Sequence, residues 1–175
     1  MTKWNRSVCD FFAHQTRDII TMSSSSRKKK PYSERTDREK VESNWRKTQG
    51  LFSREEYSLA IVRAATTIEL AVNFAIRQEF APSKLPAKFI DHLVWANGLN
   101  GKYRKLLLPM VKGSPRHTRF KNLEADLMLV NRQRNWIVHS GQFKKKETAE
   151  EILVSAKKLI ETLVSEYEKI FSLPK

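Results

Sequence analysis

Between Asn131 and Gly141 the chain runs NRQRNWIVHSG, setting an arginine, an asparagine and a histidine at the end of an apolar helical pattern. Leu123, Leu127, Val130, Ile137 and Val138 recur three or four residues apart, the spacing of one helix face. At about 100° per residue, Arg134 lands near the middle of that same stripe. A guanidinium keeps its proton at any ordinary pH, so a core-facing one needs a carboxylate, a phosphate or a wet cleft to receive it. An arginine salt-bridged to a neighbouring helix has the same spacing, so a structural and a chemical reading stand side by side. His139 has two readings as well, since a histidine near a helix C-terminus answers the helix dipole as readily as it moves protons.

If the receiving phosphate belongs to RNA, the chemistry this set would serve is phosphodiester cleavage. Such a reaction needs a base for the 2′-hydroxyl proton, an acid for the leaving 5′-oxygen and positive charge on the phosphorane. His139 fits proton transfer because an unperturbed imidazole titrates near pH 6.5. Arg134 fits fixed charge with paired donors to phosphate oxygens. Asn135 suits orienting the phosphate or the imidazole. Trp136 suits stacking on a base or plain packing. Glu69, on the flank of an earlier helix, is the best-placed carboxylate to orient Arg134 or His139, although a surface glutamate has the same spacing. No step calls for a metal or other cofactor. On a straight helix Arg134 and His139 point about 140° apart. Either the helix ends or distorts between them, as Gly141 permits, or a symmetric partner completes the site.

Arg134-Asn135-Trp136-Ile137-Val138-His139 resembles the R-x(4–6)-H motif, in its R-N-x-x-x-H form, of the HEPN superfamily of small all-α domains. The resemblance covers about residues 51 to 171. It implies a metal-independent endoribonuclease of toxin, phage-defence or RNA-processing type, working as a homodimer whose two motif helices meet near the two-fold axis. It also implies an antitoxin or regulatory protein as partner. Other members of the superfamily have lost catalysis and bind RNA or protein. Members paired with a nucleotidyltransferase antitoxin carry a tyrosine two residues after the motif histidine. Ser140 and Gly141 stand here instead, which disfavours that subclass.

The elements that must hold these residues are helical. Residues 34–49 are charged nearly all round, with Val41 and Trp45 as the only apolar contacts, and predict a marginal helix ending at Gly50. Ser53-Arg54-Glu55-Glu56 has the form of a capping box, opening a long amphipathic helix through Ile61, Ile68 and Ile76 to a stop at Pro82. Pro86 and Asn97-Gly98 bracket a second, with Phe89, Ile90, Leu93 and Val94 inward. Tyr103 to Val111 is a short third element that Pro109 must break or kink. The motif helix spans about 119–138. A last helix, opened by a second capping box at Thr148-Ala149-Glu150-Glu151, carries Ile152, Ala156, Leu159, Leu163, Tyr167 and Ile170 on one stripe. No alternation of period two is long enough for a strand. The expected fold is an all-α, up-and-down bundle of four to six helices over 51–175, behind a partly flexible basic extension over 1–50.

Composition bounds the partners. The 175 residues carry a net charge of +14 with a pI near 10, an excess that draws polyanions. Residues 1–50 hold 12 basic and 6 acidic side chains, net +6, and 51–175 hold 21 and 13, net +8, so the body is basic too. Arg132, Arg116, Arg119 and the run Lys144-Lys145-Lys146 are the candidate RNA contacts. A single cysteine and four scattered histidines offer neither a disulfide nor a zinc spacing. No apolar run approaches bilayer length, and a cytoplasmic protein without a membrane partner is expected. A non-catalytic module binding RNA or a protein partner is the competing reading. A DNA-binding protein is weaker, for want of a helix-turn-helix pattern.

Overall fold

The computed structural model describes residues 30–174. Residues 1–29 of the expected basic extension lie outside them. Among the described residues six helices and no strand occur. They are α1 (Asp37–Ser53), α2 (Tyr57–Phe80), α3 (Ala87–Trp95), the composite α4, α5 (Pro115–Ser140) and α6 (Lys146–Ser165). In α4, the α-helical Leu99–Gly101 and Leu108–Met110 flank a π-helical stretch, Lys102–Leu107. Pro109 can return no N–H to the turn before it, and the turn before it is this widened segment.

Polar contacts fix the helix directions. Arg77 near the end of α2 binds Asp37 at the start of α1, while Arg63 near the start of α2 donates to Asn44, so the two run antiparallel. Arg116 pairs with Glu79 at one end of α5, while Arg134 faces Glu69 and Ala65 further down, making α5 antiparallel to α2. Arg119 binds Glu166 and Lys158 binds Asp126, which sets α6 antiparallel to α5. The result is an up-and-down bundle of α1, α2, α5 and α6, with α3 and α4 crossing between α2 and α5.

Helix α2 is its axis. Ala60, Ile61, Ala64, Ala65, Ile68, Ala71, Val72, Phe74, Ala75 and Ile76 are all buried, and the alanines allow α1, α5 and α6 to approach closely. Contrary to the sequence reading, a stretch of bilayer length and hydropathy does occur. It is Tyr57–Ser83, and 61% of its most apolar window is buried among the other helices. A central position accounts for that apolarity as a membrane would.

Several local expectations are corrected. Helix α1 is no marginal extension: Val41 and Trp45 are core residues, and the helical body begins at Tyr32 instead of residue 51. Its true capping box is Thr36 with Glu39, the Thr36 Oγ1 accepting from the Glu39 N–H at 3.2 Å and the Thr36 N–H donating to Glu39 Oε2 at 2.7 Å. It runs past Gly50 because Phe52 continues the apolar face, packing edge-on against Tyr57 at 5.4 Å. Ser53 therefore closes α1 instead of opening α2. Glu55 makes the turn at φ 61°, and Glu56 binds Arg54 instead of reaching back. At α6 the helix starts at Lys146, so Thr148 is already inside its first turn. Phe89, Val138 and Ile170 are exposed, and Phe171 and Leu173 are buried where Ile170 was expected. Helix α5 begins at Pro115, as its missing N–H allows, and stops at Gly141 with φ 63° in the left-handed region, the expected glycine stop.

If α1 belongs to the core, Trp45→Ala should lower the unfolding free energy by about 3 kcal/mol through the cavity it leaves. Urea denaturation of the full chain measures this, and a loss under about 1 kcal/mol would make α1 an accessory.

Candidate functional site

Three elements meet around a cleft of about 370 Å³. Helix α2 contributes Ala65, Thr66 and Glu69, the turn into α4 contributes Gly98 to Gly101, and α5 contributes Asn131, Arg134 and Asn135. Arg134 is half-buried in the wall, and its Nη1 donates to Asn135 Oδ1 at 2.9 Å. Among the described residues no carboxylate pairs with it. Glu69, the only acidic residue lining the cleft, pairs with Lys102, whose side chain is 5% exposed. Among the described residues Arg134 is thus not half of a buried ion pair. Its positive charge is answered by one neutral carboxamide and by whatever fills the cleft.

Two ties hold α4 against α5 and so keep the cleft's shape. The Tyr103 hydroxyl donates to the Phe120 carbonyl at 2.6 Å, and burial first, then the Glu124 charge, push its pKa up, so it stays a donor. Glu124, nearly buried on α5, accepts from Lys121 and from Arg104 of the π segment, and these bonds hold its carboxyl below the ordinary carboxylate range.

Asn135 and Glu69 thus stand with Arg134, but Glu69 bonds to Lys102 and to neither motif residue. His139 does not join them. It is exposed near the end of α5, about 140° round the helix from Arg134, because α5 continues undistorted to Ser140. Trp136 borders a neighbouring cleft of about 400 Å³ with Asn100, Met128, Asn131 and Arg132. Arg132 and Lys144 sit over its ring at 5.4 and 5.0 Å, so cations occupy the surface offered for stacking. Lys144 is placed there by its backbone N–H, which donates to Ser58 Oγ at 2.8 Å. Lys145 precedes α6 and Lys146 opens it, 3.8 Å from Glu150, both exposed. Arg116 and Arg119 lie at the far end of α5, about 22–27 Å from Arg134 at 1.5 Å per residue. Each is paired, Arg116 with Glu79 beneath Tyr167 and Arg119 with Glu166, and neither reaches the cleft.

Asn131, Asn100 and Lys102 were not singled out from the sequence. Asn131 sits one turn before Asn135, a spacing that could have found it; Asn100 and Lys102 arrive through the tertiary crossing of α4, which no local pattern announces. The Asn100 Oδ1 is buried without a hydrogen-bond partner among the described residues. Comparison with known protein families, curated proteins and solved structures finds no match to this chain.

The Glu124 tie has a pH signature. Its folded pKa is depressed, so its contribution is present above the unfolded value and is lost as pH falls through the folded one. Glu124→Gln should cost about 1 kcal/mol at neutral pH, its cationic partners being half-exposed, and the gap from wild type should close on acidification below about pH 4. Chemical denaturation at pH 7 and pH 3 tests this, and a gap that widens in acid would contradict it.

Proposed function

We propose that this chain is a metal-independent endoribonuclease of the HEPN type. The observation that carries the reading is the Arg134 guanidinium, set in a cleft wall beside Asn135 with no carboxylate among the described residues paired to it. The basic body supports it: residues 30–174 hold 26 basic and 17 acidic side chains, net +9. In the proposed reaction the 2′-oxygen attacks phosphorus and the P–O5′ bond breaks, giving a 2′,3′-cyclic phosphate and a 5′-hydroxyl. A base takes the 2′-hydroxyl proton and an acid returns one to O5′. Arg134 offers paired donors to the phosphate oxygens as charge builds on them, and Asn135 holds that side chain. The position of His139 requires that the imidazole serving one Arg134 come from a second copy, which makes a homodimer part of the proposal. An antitoxin or other regulatory protein covering the cleft belongs to the same reading.

The exposed His139 also favours a second reading, a non-catalytic HEPN-like module that binds RNA or a protein partner through the same cleft. Cleavage assays on RNA and DNA in EDTA separate the two. Arg134→Ala and His139→Ala should each lower RNA cleavage by roughly 10²-fold or more, with DNA untouched for lack of a 2′-hydroxyl. Mixing the two inactive variants should restore activity, because one site of a mixed dimer regains both wild-type residues. Binding that survives in wild type with no cleavage at all selects the module.

A further inference from the structure

A second cleft, of about 540 Å³, adjoins the one at Arg134 and shares Thr66, Glu69 and Gly98 with it. Tyr32, Asn73, Trp95 and Asn97 are among its other lining residues. Although three cations border it, each is already answered. Arg77 binds Asp37 at 2.8 Å and Asp91 at 3.0 Å, Lys40 lies 3.9 Å from Asp37, and Lys102 holds Glu69. A phosphate would have to break these pairs, whereas at Arg134 it displaces none. The second cleft therefore suits a neutral, flat, polar-edged group.

Its aromatic residues differ in the same sense. The Tyr32 ring is taken, with Arg35 at 5.6 Å and Lys40 at 5.9 Å over it. Trp95 closes α3 and is 85% exposed, and among the described residues no ring or cation packs on it. An indole left this open in a folded body forgoes most of the burial its size would bring. Asn97, whose Nδ2 donates to the Leu93 carbonyl at 3.0 Å, fixes the end of α3 beside it, and at Gly98 a Cβ would meet nothing within 4 Å. The rim next to the indole is thus open.

We infer that this second cleft takes an unstacked base of the RNA strand whose phosphate lies at Arg134, with Trp95 as its stacking platform. The inference rests on the nucleic-acid reading of the first cleft. A base has a π face for the indole and hydrogen-bonding edges for Asn73 and the backbone around Gly98, and it carries no charge to disturb the paired cations. The shared wall puts base and phosphate of one strand in adjacent compartments. Base identity would then be sensed in the second cleft while the backbone is gripped in the first.

The test measures binding of the full chain to fluorescein-labelled 2′-O-methyl oligonucleotides, which resist cleavage, and to a sugar–phosphate strand of equal length lacking bases. Trp95→Ala should weaken binding of the base-bearing strand about tenfold or more and leave the baseless strand unchanged, and Trp95→Phe should retain most of the affinity. Far-UV circular dichroism confirms that the variants fold. Equal weakening of both strands, or of neither, overturns the base subsite. Arg134→Ala should weaken both strands. If it weakens neither while the Trp95 effect persists, the phosphate reading falls and the base site stands; Arg134 dependence without Trp95 dependence has the opposite meaning.

Discussion

The enclosure of α2 is the constraint on which the rest of the molecule depends. A helix with alanine at five buried positions cannot shield itself from water by side-chain bulk, so its neighbours must come in close and stay there. Helices α1, α5 and α6 do so along its length, and α4 crosses it near Glu69. Both clefts are by-products of that crossing. Both open where α4 enters at Gly98 and where the α2 wall presents Thr66, and Gly101 and Ala65 extend the first of them.

Against this frame the charges sort into two kinds. Arg77, Lys102, Arg104, Arg116 and Arg119 all meet carboxylates from other elements and act as fasteners between helices. Such pairs contribute little each when exposed, but they set direction and register. Among the described residues Arg134 meets no carboxylate, only the Asn135 carboxamide, and it is the side chain on which the proposed cleavage turns. The contrast between a cleft whose cations all meet carboxylates and one whose guanidinium meets none among the described residues underlies the division of labour proposed between Trp95 and Arg134.

Much of this was legible in the sequence, but unevenly. Periodicity located α2, α5 and α6 because each has a long apolar face, and Gly141 marked the end of α5 through a conformation that glycine adopts without strain. Capping boxes misled twice: Ser53 and Thr148 have the right neighbours, yet a helix boundary is decided by which apolar contacts continue, and Phe52 and Ala149 carried the helices across. Helix α1 looked marginal because its charged residues outnumber its apolar ones, although two side chains as deep as Val41 and Trp45 suffice to dock it. Spacing along α5 put Arg134 on the core side and could not show that the core ends there in a cleft. The π-helical register of α4 had no local signature beyond Pro109, so Lys102 was invisible as the partner of Glu69.

That register has an evolutionary reading. A π turn accommodates one residue more than an α turn over the same rise, so Lys102–Leu107 is equivalent to an ordinary helix that has absorbed a single-residue insertion. Removing one residue there would let the helix tighten, swinging its N-terminal end round by about 100° relative to Leu108 and Pro109. Lys102 would leave Glu69, and the ion pair that ties α4 to α2 would be lost. A one-codon length change is thus enough to unfasten α4 from α2 at the wall the two clefts share.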